Sequence, residues 1–186
     1  MVRLLYPNNV KKKYKKEISY ANRGMDLEAL INETNKYYIV NDIAIIYKKP
    51  TPIAIKNTEY QGNKIKTTGY LQAKSTLDYV GIYKGRYLDF DAKSTQNKTS
   101  FPISNISAHQ LEHIKNIINH GGISFLIIEM NNQIFLLKGE DLINFIADSN
   151  RKSIPYQFLE DNGYIVKIQI NPRLDYLKAI NQIYFI

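Results

Sequence analysis

The sequence predicts an α/β domain with a mixed central sheet flanked by helices. An amphipathic helix comes first, with Leu27, Leu30, Ile31, Thr34 and Tyr38 on one face. Several short strands follow, separated by turn residues, and amphipathic segments close the chain. At 186 residues, 44% hydrophobic and 23% charged, the chain is long enough to bury one core unaided. No cysteine is present, which excludes disulfides, thiolate metal sites and cysteine nucleophiles.

The elements can be taken in order. Residues 1–20 show no sustained period and read as a flexible basic arm; residues 21–186 read as a single domain. Asp26 is the expected N-cap of the first helix, and Asn41-Asp42 ends it. Ile43 to Tyr47 is a short buried strand, stopped by Lys48-Lys49-Pro50-Thr51-Pro52. Residues 51–74 form an insertion: Ile53, Ile55 and Ile65 alternate with polar residues around Gln61-Gly62-Asn63, which predicts a protruding hairpin. Leu77 to Tyr83 and Arg86 to Lys93 are strands joined at Lys84-Gly85, where glycine supplies a positive φ. Residues 94–106 read as a loop, and a helix runs from Ser107 to about Asn119, ended by Gly121-Gly122. Ile123 to Met130 is the most hydrophobic strand, and Asn131-Asn132 turns it into Ile134 to Leu137. Short helices are expected over Asp141 to Ala147 and Pro155 to Glu160. A strand is expected over Tyr164 to Ile168 and a helix over residues 173–182.

Charge gives the first functional pointer. Lys plus Arg is 25 against 17 Asp plus Glu, a net charge of +8. Arg3, Lys11, Lys12, Lys13, Lys15, Lys16 and Arg23 lie within the first 24 residues, against the single acid Glu17. A nearly neutral body with a basic arm suits nucleic-acid phosphates, and the bland alternative is a solubilising tail. No apolar run is long enough to span a membrane. The basic N-terminus lacks the apolar core of a secretory signal. A cytoplasmic, nucleoid-associated location is the expectation.

The chemistry concentrates in the Lys84-Gly85 hairpin. Along its second strand Asp89, Asp91 and Lys93 share one face. The turn places Tyr83 opposite Arg86, which sets Asp78 opposite Asp91 and Thr76 opposite Lys93. Two facing carboxylates repel unless one takes up a proton or a cation sits between them. Mg²⁺ is the natural hard cation, and Lys93 can offset charge on a phosphoryl transition state. Two acids, a metal and a lysine suffice for phosphodiester hydrolysis. The competing reading is a solvated strand face with ordinary surface ion pairs. Asp89 also shares the face, but the register pairs it with Val80. Tyr79 and Tyr83 can stack on unpaired bases or pack the sheet.

Asp78…Asp91-Ala92-Lys93 resembles the PD-(D/E)xK nuclease motif. The surrounding segments resemble the RecU family of bacterial Holliday junction resolvases. They are Ser19-Tyr20-Ala21-Asn22-Arg23-Gly24-Met25 with Ile31-Asn32-Glu33-Thr34-Asn35, and Lys48-Lys49-Pro50-Thr51-Pro52. Asn97-Lys98-Thr99-Ser100-Phe101-Pro102, His109-Gln110-Leu111-Glu112-His113 and Pro172-Arg173-Leu174-Asp175-Tyr176 complete them. The resemblance implies a restriction-endonuclease-like fold, a homodimer, and a Mg²⁺-dependent endonuclease that resolves four-way junction DNA by symmetric nicking, with Mn²⁺ as a substitute. Recombination proteins are further expected partners. It implies Thr76, Asp78, Asp91 and Gln110 as metal positions, Lys93 as the transition-state lysine, and residues 51–74 as a stalk entering the junction centre. Arg23, Lys98, Lys11, Lys12 and Lys13 are candidate phosphate contacts. One departure stands out: the family usually has Glu where this chain has Asp91, and Ala21 stands where Gly is common. The shorter side chain motivates the alternative of a junction-binding protein with weak or no nuclease activity.

Two local features admit other readings. His109-Gln110-Leu111-Glu112-His113 is also an H-x-x-E-H zinc pattern, with its histidines at i and i+4. Ser107 and Gln110 have capping-box spacing, which competes with a ligand role for the Gln110 side chain.

Overall fold

The computed structural model describes residues 21–51, 53–71 and 76–185. A six-stranded sheet forms the centre. Helix α1 (Ala21–Val40) precedes strand β1 (Ile45–Lys48). Strands β2 (Ile53–Gln61) and β3 (Lys64–Leu71) form a hairpin whose ladder is a separate two-stranded sheet, as the alternation predicts. Then come β4 (Tyr79–Tyr83), β5 (Arg86–Ser94), the short β6 (Ser100–Pro102), α2 (Ala108–Asn119), β7 (Ile123–Met130) and β8 (Gln133–Lys138). The chain continues with α3 (Gly139–Asp148), β9 (Ser153–Pro155), α4 (Tyr156–Asn162), β10 (Tyr164–Ile165) and α5 (Tyr176–Tyr184). The central sheet runs β1-β4-β5-β7-β8-β10. Only β5 and β7 are parallel neighbours, and α2 makes the crossover that a parallel pair requires. Among the described residues no helix is long and apolar enough to cross a membrane.

Strand alternation sorts the core into two layers. Leu88, Phe90, Ile123, Phe125 and Ile127 pack with Leu27, Ile31 and Tyr38 of α1 and Leu177 and Ile180 of α5. Leu126, Ile128 and Met130 face the other way, against Ile114 of α2, Leu142 of α3 and Leu159 of α4. Tyr79, Phe90 and Phe125 are register partners across three strands. Their rings stack at 4.9 and 4.5 Å between centroids. This row pins one face of β5, so its odd-numbered side chains must occupy the other. Tyr79 and Tyr83 are thus core residues rather than exposed stacking platforms.

Turn chemistry sets the register. Lys84 and Gly85 both have positive φ (48° and 74°), as do Asn131 and Asn132 (52° and 60°), the geometry of two-residue hairpins. Gly81 is required for another reason: a Cβ there would lie 2.2 Å from the Ile45 carbonyl oxygen.

Several sequence expectations need correction. Helix α1 starts at Ala21 rather than after Asp26 and runs through Gly24 despite the low helix propensity of glycine. The expected buried strand Ile43–Tyr47 is an edge strand two residues further on, with Ile46 buried but Ile45 and Tyr47 exposed. Part of the expected loop 94–106 pairs as β6 with β9. The strand Tyr164–Ile168 shortens to Tyr164–Ile165, since Ile168 and Ile170 project from the core.

Candidate active site

The strand pairing follows the predicted register from Tyr83↔Arg86 to Tyr79↔Phe90 and stops there. Asp78 lies one residue beyond the ladder, so the expected cross-strand pair of Asp78 and Asp91 is not part of it. The Asp78 carbonyl instead accepts from the Lys49 N–H at 2.7 Å. The two acids remain electrostatic neighbours, because Asp78 raises the pKa of Asp91.

Asp91 is fully buried, as is Asp89; theirs is no solvated strand face. Helix α2 covers them, burying Gln110 and Ile114 against this side of the sheet. Asp91 Oδ2 accepts from Lys93 Nζ at 2.7 Å and Gln110 Nε2 at 2.8 Å, and Oδ1 from the Ala92 N–H at 2.8 Å. Gln110 Nε2 also donates to the Thr76 carbonyl at 2.8 Å, while its Oε1 accepts from the Ser107 N–H at 3.1 Å. Gln110 thus closes the capping box and bridges Thr76 to Asp91 with one amide. Burial pushes the Asp91 carboxyl above the usual carboxylate range. The Lys93 ammonium pulls it down, Asp78 pushes it further up, and the Ala92 N–H favours the ionised form.

This donor set fits a hard divalent cation. Burial works against the charge of Asp91, and a second carboxylate, Asp78, adds to that. A dication would reverse both effects. Among the described residues no group of three or more His, Cys, Asp or Glu is placed to hold a metal. Two carboxylates suit Mg²⁺, which keeps several waters; Gln110 turns its amide nitrogen to Asp91 and its oxygen to the Ser107 N–H. The zinc pattern finds different surroundings. His109 Nε2 lies 3.2 Å from Ser107 Oγ, and His113 Nε2 lies 3.2 Å from Asp89 Oδ2.

Sequence reasoning missed a second cluster. Asp89 Oδ2 accepts from Lys49 Nζ at 2.7 Å and the Tyr87 hydroxyl at 2.9 Å, besides the His113 contact. Lys49 Nζ also donates to Thr76 Oγ1 at 3.0 Å. The signal was present: Asp89 alternates with Asp91, so any cover over one buries the other. Among the expected phosphate contacts, Lys98 is exposed before β6, and its carbonyl accepts from Asn131. Lys11, Lys12 and Lys13 lie outside the described residues. Arg23 is described only as part of the α1 backbone. Glu33 is solvent-facing, 3.6 Å from Arg173.

Comparison with known proteins adds a second line. The family model described as recombination protein U matches residues 22–182. The chain is 46% identical over 176 residues to a Holliday junction resolvase RecU of Bacillus subtilis (strain 168), covering 92% of this chain and 85% of that relative. Against the Holliday junction resolvase RecU of Bacillus pumilus it is 42% identical over 186 residues, covering 97% and 91%. Among solved structures, Archaeoglobus fulgidus Hjc, a Holliday junction resolvase, matches with a TM-score of 0.45 at 12% identity, covering 77% of this chain and 91% of that one.

Proposed function

The chain belongs to the recombination protein U (RecU) family, and from that premise we propose that it is a Holliday junction resolvase, an endonuclease nicking four-way DNA junctions in a Mg²⁺-dependent reaction. The observation that carries the chemistry is buried Asp91, ion-paired to Lys93 at 2.7 Å and pushed toward protonation beside Asp78.

Asp78 and Asp91 would hold the cation, with Thr76 and Gln110 at its edge and Mn²⁺ as a substitute. When bound, Mg²⁺ supplies Lewis-acid polarisation of the scissile phosphoryl group. Gln110 fixes the Asp91 carboxylate, and the Ala92 N–H favours its ionised form. The Lys93 side chain is 21% exposed, so its ammonium is anchored by Asp91 yet open to the substrate side. It offsets charge that develops on the phosphoryl oxygens. A homodimer would present two such sites to the two equivalent strands of a junction, giving paired nicks. The β2–β3 hairpin would enter the junction centre, and Arg23, Lys98 and the basic arm would meet phosphates.

The test is cleavage of a labelled synthetic four-way junction beside linear duplex, with Mg²⁺ and with EDTA. Paired symmetric nicks on the junction alone, in metal alone, are expected. Tight binding without nicks would favour the binding-only alternative, with Asp91→Glu as the attempted rescue. The absence of both binding and nicking would overturn the proposal.

A further inference from the structure

The hairpin insertion creates a mechanical problem. The chain leaves the body after Lys49 and re-enters at Thr76, and β4 does not begin until Tyr79. Thr76 and Asp78 therefore sit on the returning root of a long insertion, ahead of any ladder. Closing such a loop costs conformational entropy, and its ends need specific ties to stay in one place.

The ties converge on the face of β5. Lys49, on the outgoing root, donates its N–H to the Asp78 carbonyl at 2.7 Å and its ammonium to Thr76 Oγ1 at 3.0 Å. That ammonium is held by Asp89 Oδ2 at 2.7 Å. Asp89 is wholly buried and receives the Tyr87 hydroxyl at 2.9 Å, with His113 Nε2 at 3.2 Å. The outgoing root, β5 and α2 meet at one carboxylate, and the returning root is tied to it through Lys49.

We infer that Asp89 is a positioning residue. Through Lys49 it locks both roots of the β2–β3 hairpin to β5 and so holds Thr76 and Asp78 against Asp91. Asp89 touches neither substrate nor cation; it acts through Lys49. The inference rests on the metal-dependent reading above. Partners that orient metal ligands typically change metal affinity by about 10–100-fold when removed.

Charge and position make opposite predictions, which gives a clean test. If Lys49 and Asp89 act only as nearby charges, Lys49→Met tightens cation binding and Asp89→Asn weakens it. If they act by position, both weaken it. Mn²⁺ binding to the full chain without DNA, read by the loss of the free-ion paramagnetic resonance signal, measures this directly. Both variants are expected to raise the half-saturating Mn²⁺ concentration about tenfold. Junction binding in EDTA is expected to stay within about twofold of wild type, since neither group is a phosphate contact. Tighter or unchanged Mn²⁺ binding in Lys49→Met overturns the inference, and so does a tenfold loss of junction binding in EDTA with Mn²⁺ binding intact. Should Asp89→Asn fail to fold, as circular dichroism would reveal, Lys49→Met decides alone. A wild-type chain with no saturable Mn²⁺ binding, or binding that Asp78→Ala leaves unchanged, overturns the metal reading and the inference with it. Wild-type binding that Lys49→Met does not weaken overturns the inference alone.

Discussion

Replacing Asp91 with Asn probes the electrostatics of the site without DNA. The carboxyl is fully buried, and burial raises its pKa above the ordinary 3.8 despite Lys93 Nζ at 2.7 Å. For an acid raised in the folded state, the unfolded chain ionises first as pH climbs. The associated stability is fully present below the unfolded pKa of 3.8 and is lost as pH rises through the folded pKa. Each unit of upward shift corresponds to about 1.4 kcal/mol. Asn does not ionise, so Asp91→Asn lacks this slope. It brings a constant offset instead. The Asn carbonyl still accepts from Gln110 and Lys93, but its amide meets the Ala92 N–H donor, costing about 1–3 kcal/mol. The offset does not vary with pH, whereas the slope does. The assay is urea unfolding of both chains in EDTA between pH 4 and 7. The stability of wild type relative to Asp91→Asn is expected to fall as pH climbs from 4 and to level off once the folded carboxyl has ionised. Mg²⁺ at pH 7 should stabilise wild type and leave the variant unchanged. A difference that is flat, or that grows with pH, would refute the reasoning.

Three further outcomes follow from the geometry. Lys93→Ala should reduce junction nicking by about 10²–10³-fold while leaving junction binding in EDTA intact, measured by single-turnover cleavage and gel shift; loss of binding would reassign Lys93 to substrate affinity. Replacing residues 53–71 by a short Gly-Ser turn should leave thermal unfolding within a few degrees of wild type, because β2 and β3 pair only with each other. The preference for junction over duplex should collapse, and a retained preference would dismiss the hairpin as the selectivity element. Deleting residues 1–18 should flatten the dependence of log binding on log salt by about 0.9 for each phosphate that the arm neutralises; an unchanged slope would show that the arm meets no phosphate.

Much of this architecture was legible because local rules and the core agreed. The alternation along Arg86–Ser94, the Lys84-Gly85 and Asn131-Asn132 turns and the apolar Ile123–Met130 each have one cheap solution. The errors fall where tertiary context decides. β1 reads as buried because Ile43, Ile45 and Tyr47 are apolar, yet an edge strand with one uncovered face leaves all three exposed. β6 and β9 are three residues each and exist only because they meet. The hairpin register ends at Tyr79↔Phe90, one residue short of Asp78, and does not pair Asp78 with Asp91. The Asp89 cluster is not legible in the sequence, since Lys49 and His113 come from distant segments.

The charges on this face explain why one acid rather than the other suits a cation. Asp89 and Asp91 are both fully buried and two residues apart on β5, so burial alone does not distinguish them. Each has its own ammonium: Lys49 for Asp89 and Lys93 for Asp91, both at 2.7 Å. Asp89 adds the Tyr87 hydroxyl and the His113 ring, both on Oδ2, while its buried Oδ1 has no hydrogen-bond partner among the described residues. Asp91 adds only neutral donors and faces a further carboxylate, Asp78. Two ammonium groups stand against three carboxylates, and the uncompensated charge falls at the Asp78–Asp91 end. A dication is drawn to that deficit, whereas the Asp89 charge is already matched by Lys49, which also ties the Thr76 root.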